Sequence, residues 1–262
     1  IAGLVAQFLN IGGIAFVVLL RLLSGKEVFQ RAGLAGGKVW HYLVFGLLLV
    51  VIYSLMTALN ALFGLGQAVN IQEFLAQAAG GQPTGMEQLP DLAILALTGF
   101  QSVLLAPFLA LLIAFGEEYG WRRYLQDELI KLGKVRGIFL LGIIWGLWHA
   151  PVIAMGHNYP GYPFWGIILM TIYTVELGFI LGYAVLKSNS VWLAAFLHAV
   201  NNQVLSFLFA MVYRPTDPAF SFGVGIYGLL VLAVVVAGLL LLDRKAWATP
   251  AQIPGPAYET QA

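Results

Sequence analysis

The chain has no cysteine, which removes disulfides, thiolate metal ligands and a cysteine nucleophile together. Charge is nearly as scarce. Asp, Glu, Lys and Arg make up 10% of the 262 residues, whereas soluble domains carry about 25%. With a net charge of +1 there is no basic excess for nucleic acid, which is excluded as a partner. Strands of alternating polarity are missing too, and that excludes a transmembrane β-barrel. No internal repeat is evident, which weakens a transporter reading.

What the chain does have is apolar length. It is 60% hydrophobic with a mean hydropathy of +0.87. Seven continuous runs, near 3–23, 41–64, 92–116, 137–156, 163–186, 190–212 and 222–242, each reach the roughly 20 residues that a hydrocarbon core demands. Only helices satisfy their own backbone in lipid without closing a barrel. The expectation is an all-α fold, a polytopic membrane helical bundle of about seven transmembrane helices in the cell membrane. The sequence opens at Ile1 rather than Met, so preceding residues could add a span.

Basic residues occupy alternate connections: Arg21, Lys26, Arg31 and Lys38; then Arg122, Arg123, Lys131, Lys134 and Arg136; then Lys187; then Arg244 and Lys245. The intervening connections hold only Arg214. By the positive-inside rule the N-terminus lies outside and the C-terminus in the cytoplasm. Four regions follow: N-terminal helices and an outer connection (1–91), a core (92–212), a C-terminal helix (213–247) and a Pro-rich mobile tail (248–262). Within the outer connection, 71–79 reads as a short helix.

Three polar segments interrupt the apolar runs. In Glu117-Glu118-Tyr-Gly-Trp-Arg122, Glu118 and Arg122 are i,i+4 with the acid first, the favourable order. Glu117 is turned about 100° away without a local counter-charge. Such a segment is either a solvated helix end or a site in which Glu117 stays free as a general base. In Trp145-Gly-Leu-Trp-His149-Ala-Pro151, the histidine lies deep in its run and the proline kinks the helix behind it. In His198-Ala-Val-Asn-Asn202, His198 and Asn202 share a helix face and Asn201 points elsewhere. The bland reading of both is hydrogen-bonded packing between helices. Counted inward from the basic ends at 1.5 Å per residue, all three lie roughly 13–20 Å deep, in one layer. Packing residues have no reason to coincide so, whereas ionisable groups at membrane depth point to function.

That layer suits activation of water against a carbonyl. Glu117 would take the proton and His149 position the water, while His198 and Asn202 donate to the oxyanion. Neither Ser102 nor Ser206 has a base at helical spacing. A divalent metal such as zinc on Glu117, His149 and His198 is an alternative, as is a metal-free site. Glu176, mid-span, reads as protonated glue or as a partner of a histidine, and His157 as a solvated loop residue.

Glu117-Glu118-x-x-x-Arg122, Trp145-x-x-x-His149 and His198-x-x-x-Asn202, in this order over residues 113–205, resemble the three motifs of the CPBP family. This family comprises the CAAX prenyl endopeptidases and bacterial relatives, including bacteriocin-immunity and lysostaphin-resistance proteins. The second motif departs mildly, with Trp145 where Phe is commoner. The resemblance implies an intramembrane endopeptidase opening to the cytoplasm, with a peptide or protein substrate, possibly lipidated, reached within membrane lipid. Glu117 would be the base aided by His149, His198 and Asn202 the oxyanion pair, and Glu118 with Arg122 a brace. It leaves open both a metalloendopeptidase and a glutamate-dependent mechanism. Rival readings are a non-catalytic immunity or scaffold protein of the same family and an ion- or proton-coupled transporter.

Overall fold

The computed structural model describes residues 33–86 and 88–248. The expected first span, Arg21, Lys26, Arg31 and the tail beyond Ala248 lie outside the described residues. In chain order come α1 (Val39–Leu62), β1 (Gly66–Ala68), α2 (Ile71–Ala78), α3 (Asp91–Leu132), α4 (Lys134–Trp148) and α5 (Ala150–Ala154). Then follow α6 (Pro163–Ser188), α7 (Val191–Val212), β2 (Tyr213–Pro215), α8 (Ile226–Leu242) and α9 (Arg244–Ala248). The fold is a membrane helical bundle. By length and composition α1, α3, α6 and α7 can each cross a membrane, and α8 is a shorter apolar helix.

Two expectations change in detail. The run 92–116 and its amphipathic continuation form one helix of 42 residues, loosened by wide π-type turns at Gln101–Leu105 and Tyr119–Leu125. The run 137–156 is not one helix, because α4 stops at Trp148 and the chain turns at His149 before α5. Pro151 explains the break, since it lacks the N–H that would continue the α4 ladder.

Small residues bring α4 and α6 together. A Cβ on Gly142 would lie 2.4 Å from the Val175 Cα, and one on Gly146 2.5 Å from the Thr171 Cα. Only hydrogen at these positions lets the backbones approach so closely. Thr174 Oγ1 uses the approach to donate to the Gly142 carbonyl at 2.9 Å. A two-residue turn then reverses the chain. Asn189 takes a left-handed conformation (φ 51°), and Ser190 caps α7 by accepting from the Leu193 N–H.

The two ends of the bundle are tied separately. At the basic end Asp243 accepts from Lys187 Nζ and the Tyr183 hydroxyl, each at 2.8 Å, and Lys134 Nζ donates to the Ala246 carbonyl. Lys187 and Tyr183 hold the Asp243 carboxyl down at about 2. At the other end β1 and β2 pair antiparallel, with Gly66 opposite Pro215. Asn60 on α1 grips the Phe222 backbone through both its amide groups, at 2.6 and 2.9 Å. Tyr159 donates to the Val224 carbonyl and Tyr162 to Asp217, both at 2.6 Å.

Candidate active site

The buried centre of the polar layer is Glu118. Its Oε1 accepts from Arg122 Nη1 at 3.1 Å and from His198 Nδ1 at 2.9 Å. Both the Glu118 and Arg122 side chains are 0% exposed. An arginine so deep needs compensation on every side. It finds the carboxylate on one side and, on the other, the Trp145 ring, whose centroid is 4.2 Å from the guanidinium carbon. Trp145 also meets the His198 ring edge-on at 5.5 Å and packs against His149 at 5.9 Å. The aromatic of the second motif is therefore the floor beneath both imidazoles and the cation. The wide turn Tyr119–Leu125 begins directly after Glu118, and such turns recur at functional sites.

His149 sits in the break between α4 and α5. Its Nδ1 lies 2.8 Å from the Trp145 carbonyl, which can only accept, so Nδ1 carries the proton. In the neutral ring Nε2 is then the free basic nitrogen.

On α7, Asn202 takes its orientation from its neighbour. Asn201 is buried and donates from Nδ2 to the Asn202 Oδ1 at 2.9 Å. The Asn201 Oδ1 accepts from the Tyr173 hydroxyl at 2.6 Å and from the Tyr53 hydroxyl. The two phenols are 2.9 Å apart. The expectation that Asn201 points elsewhere is thus corrected. It faces the site and leaves the Asn202 amide N–H groups free of partners among the described residues. Nothing in the sequence spacing points to Tyr53 or Tyr173. A tyrosine within an apolar run carries no spacing signal until its partner is known.

Glu117, His149, His198 and Asn202 line one cavity of about 370 Å³ together with Trp145, Tyr173 and Asn201. All four residues named from the motifs therefore share a single space, with Glu118 and Arg122 beneath it. His157, expected to be merely solvated, also lines this cavity, as does Ser206, whereas Ser102 does not. Glu176 is buried, its Oε2 without a partner among the described residues. It makes no hydrogen bond to either histidine.

The metal alternative finds no support in the donor geometry. Among the described residues no three His, Asp or Glu side chains form a group able to hold an ion. Glu117, His149 and His198 face the cavity from three helices without closing into a ligand set, and Glu118 takes one nitrogen of His198.

Fold and site together define a polytopic helical membrane protein with a carboxylate–imidazole–amide centre buried between its helices. Residues 99–204 match the family model described as Type II CAAX prenyl endopeptidase Rce1-like. The matched segment carries all three motifs. A curated relative, CAAX prenyl protease 2 of Methanococcus maripaludis, is 31% identical over 144 residues, covering 53% of this chain and 49% of the relative. The chain thus spans about half the length of the curated relative it matches. No solved structure matches it.

Proposed function

We propose that this protein is an intramembrane endopeptidase that hydrolyses a peptide bond with water activated by Glu117 and His149. The supporting observation is the convergence of Glu117, His149, His198 and Asn202, from three separate segments of the chain, on a single cavity. Glu117 is half-buried and lines the cavity, while its neighbour Glu118 is committed to Arg122 and His198. One carboxylate is therefore left to take a proton from water. His149 offers the lone pair of Nε2 to the same water, because Nδ1 is held by the Trp145 carbonyl. Attack on the scissile carbonyl moves charge onto its oxygen, which the Asn202 amide would meet with an N–H donor. His198 donates there from Nε2 only as the imidazolium, with Nδ1–H directed at Glu118. As the tetrahedral species collapses, Glu117 returns the proton to the departing amine.

The substrate would be a peptide or protein, as for a CAAX prenyl protease, and lipidation belongs to the same proposal. The test is cleavage of a peptide and prenyl-peptide library by detergent-solubilised protein beside Glu117→Ala and His149→Ala. Turnover should drop at least a hundredfold in both variants, the scale of a lost acid–base group, with unchanged thermal unfolding. Equal cleavage by wild type and Glu117→Ala would remove the assigned base. No cleavage by wild type would favour the immunity or scaffold reading.

A further inference from the structure

The break at His149 does more than free that ring. Because α5 has only five residues, it carries the chain roughly 7–8 Å at 1.5 Å per residue before the turn at 156–161 begins. The turn adds two polar residues, His157 and Asn158, to the cavity lined by Glu117, His149, His198 and Asn202. Neither belongs to the three motifs.

The turn is built without help from either side chain. The Gly156 N–H donates to the Ile153 carbonyl at 2.9 Å, the His157 N–H to the Val152 carbonyl at 3.0 Å and the Tyr159 N–H to the His157 carbonyl at 2.7 Å. Tyr159 is fully buried, and its hydroxyl donates to the Val224 carbonyl at 2.6 Å. It packs so closely on α6 that a Cβ on Gly166 would fall 2.7 Å from the Tyr159 Cβ. Backbone bonds and this anchor fix the turn, whereas the His157 ring and the Asn158 carboxamide make no hydrogen bond among the described residues. Asn158 is also left-handed, with φ 60°, between Gly156 at 93° and Gly161 at 87°. Glycine takes such angles at no steric cost, and asparagine at some. A carboxamide therefore stands on the cavity wall at a position glycine would fill more easily, with donor and acceptor both unspent.

The chemistry of the pair suits a peptide main chain. A carboxamide offers N–H donors beside a carbonyl acceptor, and one extended residue presents its own C=O and N–H along the same edge. A neutral imidazole always has one N–H to give. Neither group selects a side chain, so both can serve many sequences. The cavity, at about 370 Å³, is within the range of pockets that enclose small ligands or a short piece of chain.

Taking the endopeptidase reading above as given, we propose that His157 and Asn158 form a subsite that grips the main chain of the bound peptide beside the scissile bond. Asn158 pairs with the C=O and N–H of one extended residue, and His157 donates to a neighbouring peptide carbonyl. The two residues hold the chain in register while Glu117 and His149 act on the water. They take no part in proton transfer.

The test uses a prenyl-peptide that the wild-type protein cleaves from the library above. Asn158→Gly keeps the left-handed backbone and removes only the carboxamide. His157→Ala removes a ring on which the turn does not depend. Each should raise KM about fivefold, the worth of one hydrogen bond between neutral groups, with kcat and the unfolding midpoint little changed. Binding is then read without turnover in Glu117→Gln, using the same peptide and analogues in which single amide N–H groups near the scissile bond are replaced by ester oxygen. At one position the ester should weaken binding about fivefold, and the penalty should vanish once Asn158→Gly is added. An ester penalty that is the same with and without the carboxamide overturns the proposal, as does an unchanged KM in both variants. A KM rise matched by a fall in unfolding midpoint also overturns it, because the residues would then merely form the turn. If the wild-type protein cleaves no peptide, the endopeptidase reading falls and this subsite with it; cleavage with unaltered binding sinks the subsite alone.

Discussion

The amide of Asn201 donates to the Asn202 Oδ1 at 2.9 Å, which leaves the N–H groups of Asn202, a residue lining the cavity, without a partner among the described residues. Tyr173 and Tyr53 hold Asn201 from behind through its Oδ1. Removing one phenol should loosen the presented donor without altering the cavity wall. Tyr53→Phe should therefore lower kcat by up to about tenfold, the worth of a roughly 1 kcal/mol hydrogen bond, with KM little changed. The Tyr53→Phe/Tyr173→Phe pair should fall further. A change confined to KM would show that the phenols shape binding instead.

Glu118 and Arg122 form a fully buried pair, so breaking it leaves a charge stranded. Arg122→Met alone should destabilise the protein by about 3–5 kcal/mol, seen as a large fall in the detergent unfolding midpoint. Adding Glu118→Gln removes the stranded carboxylate and should restore much of the midpoint. It should not restore turnover, because His198 has lost its anionic partner. Full stability in the single variant would contradict this account.

Close packing of α4 on α6 depends on two missing methyl groups. Gly142→Ala and Gly146→Ala each press a Cβ within 2.5 Å of a backbone carbon of α6. Each should cost about 1–3 kcal/mol by overpacking, and Gly142→Leu should prevent folding. Gly120→Ala, where a Cβ meets open space, is the control and should unfold within a degree or two of wild type.

The clamp at the basic end has a defined pH window. The Asp243 carboxyl is pulled from an ordinary 3.8 to about 2 by Lys187 and Tyr183. A carboxyl depressed in the folded state contributes stability that is fully present above the unfolded value and lost as pH falls through the folded one. The gap in unfolding midpoint between wild type and Asp243→Asn should thus be constant above pH 5 and close between about pH 4 and 2. A gap that persists unchanged at pH 2 would remove the clamp from the account.

The proposed activation of water by Glu117 without a closed ligand set has a further consequence. Peptide turnover should survive prolonged dialysis against a strong chelator and show no gain on adding zinc. Loss of activity that zinc restores would require Glu117, His149 and His198 to converge in a way the donor geometry here does not provide.

The residues show where legibility stops. Helix spacing was enough to pair Glu118 with Arg122, because i,i+4 is a local relation on one helix. It was also enough to bring Glu117, His149, His198 and Asn202 to one depth, since rise per residue is fixed. It could not show that Glu118 also holds His198, because 80 residues of chain separate them. Nor could it show that Asn201 serves Asn202, since adjacent residues point apart unless tertiary partners turn one of them. The three-residue strands β1 and β2 are too short to carry a period.

By itself the sequence determined that the chain is a helical membrane bundle with a polar layer built from three motifs. Apolar run length, alternation of basic connections and helical rise are properties of the chain alone. The tertiary structure decided that Glu118 is committed to both Arg122 and His198, and that Asn201, held by Tyr53 and Tyr173, donates to Asn202. Those depend on how each helix is rotated against its neighbours, and that is set by glycine contacts and aromatic partners far apart along the chain.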